Sequence, residues 1–251
     1  SPLQSYNVTF SLAWAHEFSD CMILYDNDLL LNNMNSNNNN MNDGSGSGRK
    51  SAQGFQGVNS KIAEGLCSLF SKKEFDVGSL VTELAPMPTH KMIQIFSARS
   101  GHKGSKPIAT WDVLSALSKE LPSKVKFSGF HSVISSQVNL RGKASNLPIR
   151  TPYLPNLGLK GVGWNSLHCE DVIHDSSSLP GNLSSHGVAS LAMNWCHPAS
   201  TIDPLLQMAE QKWRKRCFVH WYEQQGVGDI AFDAALTFAR EACESYFAVD
   251  M

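Results

Sequence analysis

The chain lacks any long apolar segment and any excess of charge of one sign. No apolar run reaches the roughly 18 residues that a membrane-spanning helix needs. Lysine and arginine total 21 and aspartate and glutamate total 22, so the formal net charge is −1. This balance gives no signal for nucleic acid, and we expect neither a nucleic-acid nor a membrane partner. The N-terminus has no signal-peptide pattern, so we expect a cytoplasmic protein.

Cysteine is scarce and scattered along the chain. No two cysteines form a CxxC pair, which removes the simplest zinc and redox motifs. We expect reduced thiols, most of them buried. The six are Cys21, Cys67, Cys169, Cys196, Cys217 and Cys243.

The periodicity of the apolar residues predicts an α/β or α+β fold. Helical spacing occurs over residues 8–24 and over Phe55–Phe70. Further helices are predicted at 110–121 with Thr110 as N-cap, from Thr201 with Pro204 in the first turn, and from Asp229 as the cap of a last helix. Strands are predicted at 91–98, from 127 to Gly142, at 160–167 and at 185–195.

A low-complexity segment rich in asparagine and glycine spans Asn32–Ser51. Its composition cannot bury enough apolar surface to order itself, so we expect a disordered loop. The glycines at 44–48 suggest a phosphate loop, but Arg49 stands where that motif needs a glycine before its lysine. A linker is therefore the favoured interpretation.

The most unusual stretch is "QKWRKRCFVHWYEQQG", at Gln211–Gly226. It combines four cations with two tryptophans, a histidine and a tyrosine. A zinc site is disfavoured because His220 has no second ligand three or four residues away. A solvated basic face with core tryptophans is the simplest interpretation of the pattern.

The order of residues in this region resembles the carboxy-terminal region of the tubulin family. The segment "RKRCFVHWYEQQGVGDIAFDAALTFAREACESY" has the family's basic turn, aromatic His-Trp-Tyr run, glycine turn and acidic helix start. "SYNVTFSLAWAHEFSDCMILYDND" and "ELAPMPTHKM" resemble two further tubulin segments. "SQVNLRGK" and "LAPMPTHKM" are most similar to the delta-tubulin class.

The resemblance implies a domain organisation. Residues 1–54 would end a Rossmann-like GTPase domain, with the insertion at 32–51, and 55–71 would form the core helix. Residues 72–200 would form an intermediate α/β sandwich domain and 201–251 a helical hairpin. The family's phosphate loop and Mg²⁺ site belong to an amino-terminal half that, on this expectation, precedes residue 1.

The resemblance also implies a GTP site with three base-contacting residues. Asn27 and Asn59 match asparagines that hydrogen-bond the guanine edge, and Phe55 stands where the family has a tyrosine stacked on the base. An amide can both donate and accept, and a phenyl ring keeps the stacking face. From the sequence alone, these residues could equally be helix caps and a core aromatic.

Hydrolysis is doubtful on the same comparison. Ser79 occupies the position of the family's catalytic carboxylate, and a serine cannot act there as the acid or base. Asp76 is the candidate substitute, and Glu83 lies four residues beyond Ser79. GTPase activity therefore stays open.

The expected partners are other tubulin subunits. The loop at 98–109 matches the family's lateral-contact loop, with Arg99, His102, Lys103 and Lys106 as candidate contacts. One implied function is a cytoskeletal GTP-binding subunit at microtubules, centrioles or basal bodies. The alternative is a nucleotide-independent module that docks on other tubulins.

Overall fold

The computed structural model describes residues 2–39, 52–70, 76–99, 112–122, 132–142, 153–165, 171–175 and 187–249. The helices in these ranges are α1 (Gln4–Phe18), α2 (Asn27–Asn39), α3 (Ala52–Phe70), α4 (Val77–Leu84), α5 (Val113–Glu120), α6 (His197–Arg214), α7 (His220–Glu223) and α8 (Asp229–Phe247). The strands are β1 (Met22–Ile23), β2 (Met92–Arg99), β3 (Ser132–Gly142), β4 (Lys160–Gly161), β5 (Asp171–Asp175) and β6 (Gly187–Trp195). The arrangement confirms the predicted α/β class.

The strands form one mixed sheet. Its order is β1-β2-β6-β3, and both β4 and β5 pair with β3. β6 is antiparallel to β2 and to β3, whereas β1 is parallel to β2. The long central strands β2, β6 and β3 therefore form the platform on which the helices pack.

The two faces of this sheet meet different helices. On one face, Phe96, Leu140 and Leu191 pack with Leu117 of α5 and with Trp195 in an apolar cluster. The other face lies under α3 and α4, where Ile93 and Ile95 contact Leu69, Leu80 and Leu84. Burial of apolar area on both faces is the main stabilising contribution to such a core.

Helices α1, α6 and α8 pack together beside the sheet. Their contact is an aromatic cluster in which Trp213 stacks on Phe232 with ring centroids 4.4 Å apart. Tyr6 and Phe10 meet Phe232 edge-on. At the other end of α8, the Tyr246 hydroxyl accepts from Met92 N at 2.7 Å and donates to Asn194 Oδ1 at 2.8 Å.

Several predicted boundaries were wrong. The first helix covers Gln4–Phe18 rather than 8–24, and Met22 lies in β1 because Met22 N donates to Lys91 O. Of the strand predicted at 160–167, Lys160–Gly161 is a strand and residues 162–165 are not, while 166 and 167 lie outside the described residues. Helix α4 was not predicted, since two prolines beyond its end dominated the local pattern.

The predicted caps were also wrong. Asp112 caps α5 and accepts from Ser115 N, while Thr110 lies outside the described residues. Helix α6 begins at His197, so Thr201 and Pro204 lie within it. Asp229 is the first residue of α8 and Gly228 is its cap.

The disorder predicted for Asn32–Ser51 is wrong for its first part. Residues up to Asn39 are helical in α2, because tertiary contacts supply what composition lacks. Asn33 Nδ2 donates to Glu120 O at 2.8 Å, and a Cβ at Gly57 would collide with Met34. Residues 40–51 lie outside the described ranges.

The prediction that most cysteines are buried was also wrong. Of the five described cysteines, all of them free thiols, Cys196 and Cys243 are buried and three are partly exposed. Cys169 lies outside the described residues. Burial raises the pKa of the Cys243 thiol to about 12.

Candidate functional site

Phe55 and Asn59 lie one turn apart on the same face of α3. Residues four apart on a helix are surface neighbours. Both are exposed, and 69% of the Phe55 side chain faces solvent. The alternative in which Phe55 is a core aromatic is therefore wrong.

Asn27 is exposed at the start of α2 but does not cap it. The cap is Asp26, whose Oδ1 accepts from Asp28 N at 2.9 Å and from Leu29 N at 3.0 Å. Within the described residues, the side chains of Asn27 and Asn59 have no hydrogen-bond partner. Both amides are thus uncommitted.

Helices α2 and α3 are in close contact. Leu30 and Lys61 line the same small cavity, and Met34 packs on Gly57. Lys61 Nζ pairs with Glu120 Oε1 at 3.0 Å, which ties α3 to α5.

A groove beside α2 includes one of the three predicted base contacts, Asn27. This groove has a volume of about 640 Å³ and lies between α1, α2 and α6. Its other walls include Val8, Leu12 and Leu205. Phe55 and Asn59 are exposed on α3 and are not among the residues that line this groove.

Asp76 is committed to helix α4. Its Oδ2 accepts from Ser79 N at 2.8 Å and from Ser79 Oγ at 2.7 Å, and its Oδ1 accepts from Gly78 N at 3.2 Å. The Ser79 hydroxyl, with these backbone amides, lowers the pKa of Asp76. A carboxylate with this role is an N-cap and a weak base, so the geometry gives no support to a catalytic role.

The remaining predicted site residues either have hydrogen-bond or ion-pair partners within the fold or lie outside the described residues. Glu83 Oε2 accepts from Gln137 Nε2 at 3.0 Å. Arg99 ends β2 and forms an ion pair with the buried Glu64 of α3, so it is part of a strand and not of a loop. His102, Lys103 and Lys106 lie outside the described residues.

The stretch Gln211–Gly226 is a helix end followed by a strained turn. Helix α6 ends at Arg214, and the chain then takes left-handed values at Arg216 (φ 55°) and Phe218 (φ 62°). Such a conformation costs about 1–3 kcal/mol for a residue with a side chain. The prediction of inward-facing aromatics is correct for Trp213 and wrong for Trp221, which is 56% exposed.

Sequence reasoning missed the buried hydrogen-bonding groups that attach α3 to the sheet and the hydrogen bonds that attach α8 to it. Glu64 and Ser68 of α3 are buried, and Ser68 Oγ lies 2.6 Å from Ser190 Oγ. Tyr246 of α8 is fully buried. Glu64 and Ser68 are four residues apart, a spacing that could have indicated one polar face of α3.

Among the described residues, no group of three or more histidine, cysteine, aspartate or glutamate side chains could hold a metal ion. None of the helices described is long and apolar enough to cross a membrane. No protein-family model matches this chain, and no curated protein is significantly similar to it.

Proposed function

We propose that this chain is part of a tubulin-like GTP-binding subunit of the delta class, which acts in the cytoskeleton at microtubules, centrioles or basal bodies. Support comes from the sequence resemblance together with the order of elements. A long helix, α3, is followed by a sheet flanked by helices and then by the paired helices α6 and α8. This order agrees with a core helix, an intermediate domain and a carboxy-terminal hairpin.

One observation carries the nucleotide part of the proposal. Phe55, Asn59 and Asn27 are exposed and uncommitted, where caps or core residues would be engaged. An exposed ring one helical turn from the free amide of Asn59 suits a guanine base, which stacks on the ring and hydrogen-bonds through its edge. The phosphates and Mg²⁺ would be held by a part of the protein outside residues 1–251.

The test joins residues 1–251 to the phosphate-binding domain of a tubulin and measures competition between GTP and ATP. Phe55→Ala should weaken GTP binding by about 1–3 kcal/mol, the scale of one base–aromatic stack. Phe70→Ala, which removes a ring at the far end of α3, should leave binding unchanged. Asn59→Ala should weaken GTP more than ATP, because an unpaired buried base edge costs about 1–3 kcal/mol.

Two results would contradict the proposal. One is equal loss of GTP and ATP in Asn59→Ala that follows a loss of thermal stability. The other is the same weakening in Phe55→Ala and Phe70→Ala. Either result would favour the second candidate, a nucleotide-independent docking module.

A further inference from the structure

The turn after α6 exposes aromatic rings beside unpaired cations. Phe218 is 40% exposed and Trp221 is 56% exposed. Arg214 and Lys215, at the end of α6, are exposed and have no hydrogen-bond or ion-pair partner among the described residues. These four residues together are called the basic turn below.

The backbone of the basic turn is strained at Arg216 and Phe218, and neighbouring groups hold it in this conformation. The Arg216 guanidinium lies 4.4 Å from the centroid of the Trp213 ring. It also donates to Asp229 Oδ1 at 2.7 Å and to Glu223 Oε1 at 2.6 Å. The Tyr6 hydroxyl, donating to Cys217 O at 3.0 Å, fixes the backbone between the two left-handed residues. Strained backbone that neighbouring groups hold in place is typical of functional surfaces.

Charge on this surface is divided unequally. Arg216 neutralises Glu223 and Asp229, and the carbonyl of Pro2 accepts from Lys212 Nζ at 2.6 Å. Arg214 and Lys215 are therefore the cations left for an outside partner. A preorganised surface with tryptophan, phenylalanine and arginine has the composition of an interaction hot spot.

We propose that the basic turn binds an acidic peptide segment of a partner protein. Carboxylates of the segment would contact Arg214 and Lys215, and its apolar side chains would pack on Phe218 and Trp221. This proposal is independent of nucleotide binding, because no residue of the basic turn belongs to the candidate base site.

An acidic peptide fits this surface better than a nucleic acid does. Binding a nucleic acid normally uses many phosphate contacts from a basic face. Here the exposed Asp233, Glu241 and Glu244 of α8 follow the same hairpin and would repel a long polyanion. A short acidic segment needs only the two cations and the adjacent rings.

The experiment measures fluorescence anisotropy of a fluorescein-labelled peptide of alternating glutamate and leucine with the 251-residue chain. The wild type should bind this peptide, with affinity falling as salt is raised, and should bind the lysine–leucine peptide weakly. Reversing both cations in Arg214→Glu/Lys215→Glu should weaken binding about tenfold or more. Trp221→Ala should weaken it by about thirtyfold if the ring is an anchor.

The matched control is Lys119→Glu/Lys160→Glu, which makes the same charge change at two exposed lysines elsewhere. It should keep wild-type affinity, and thermal melts should confirm that all variants fold. Absence of binding to the acidic peptide, or equal weakening by the control, would overturn the proposal. Tighter binding of a single-stranded oligothymidine than of the peptide would overturn it in favour of nucleic acid.

Discussion

The two faces of the central sheet are both buried, but their chemistry differs. The face under α5 is mainly apolar, with Phe96, Leu140 and Leu191 in its cluster, although Trp195 Nε1 donates to the buried Gln94 Oε1 at 2.9 Å within it. The face under α3 has the apolar Ile93 and Ile95, but it also carries buried polar side chains, namely Ser97, Gln137, Asn139 and Ser190. Apolar packing tolerates small shifts, whereas buried hydrogen bonds require one relative position. The sheet thus anchors α5 by burial and fixes the register of α3 by polar contacts.

This difference bears on the candidate site, because α3 carries Phe55 and Asn59. Ser68 reaches Ser190 of β6, and Glu64 pairs with Arg99 of β2. Both contacts lie in the second half of α3 and leave its first half, with the exposed residues, projecting from the sheet. A ligand at Phe55 would therefore meet a helix held in place from its other end.

The largest expected loss of stability comes from a substitution on the face of the sheet under α5. Leu117 of α5 is fully buried among Phe96, Leu140 and Leu191. Leu117→Ala should lower the free energy of unfolding by about 2–5 kcal/mol, because the cavity cannot fully collapse. Urea unfolding followed by circular dichroism measures it.

The matched control is Leu114→Ala on the same helix, where the side chain is only partly buried. Its cost should be clearly smaller. A similar loss in the two variants would mean that the face under α5 is not a close-packed core, and the contrast between the two faces would fail.

How far the sequence predicted this fold depends on the kind of signal. Apolar periodicity gave β2, β3, β6 and α3 because each buries a continuous stripe on the sheet. It failed for α2, where Asn33 contacts Glu120 and Met34 contacts Gly57, because no local pattern encodes these contacts. The prediction of helix caps failed for a similar reason, because several residues near the start of each helix could cap it equally well.

The candidate site could be predicted only by resemblance. Nothing in composition distinguishes Asn27 or Asn59 from any other exposed amide, and Phe55 reads as a core position at helical spacing. Its exposure is a tertiary property, because it depends on where α3 leaves the sheet. The polar attachment by Ser68 and Tyr246 was missed because a buried hydroxyl has no sequence signature without its partner.

An intermediate effect is expected from the polar face. Ser68→Ala should leave the Ser190 hydroxyl buried and unpaired, at a cost of about 1–3 kcal/mol. Ser190→Ala should behave in the same way. The double variant should be closer to wild type than the sum of the two, since neither partner is then unsatisfied.

Unfolding by urea of all four proteins gives the coupling free energy directly. Additive losses in the double variant would mean that the two hydroxyls act independently. Of the two polar contacts between α3 and the sheet, only the Glu64–Arg99 ion pair would then remain as support for the comparison of the two faces.

The smallest expected effect is a loss of stability in mild acid, from His90 at the start of β2. Burial is the main cause that lowers the pKa of His90 from its usual 6.5. The carbonyl of Ser245 accepts from Nε2 at 3.0 Å. In the neutral ring, which the lowered pKa favours, Nδ1 then accepts from the Thr89 hydroxyl at 2.9 Å. The unfolded chain binds a proton at this ring near pH 6.5, while the folded chain does so only at lower pH. The contribution of His90 to the free energy of unfolding is therefore fully present above about pH 6.5 and decreases as the pH is lowered below that value.

Urea midpoints at about pH 7.5 and about pH 5.5 bracket this titration. His90→Gln keeps a donor for the Ser245 carbonyl but cannot titrate, so its midpoint should fall less between the two conditions than that of the wild type. His220→Gln, at an exposed histidine, serves as the control and should show the wild-type acid sensitivity. The apolar side of the sheet ends at this histidine, next to Met92 and Tyr246. If the urea midpoint of His90→Gln falls as much in acid as that of the wild type, the loss of stability arises from other groups and the prediction for His90 is wrong.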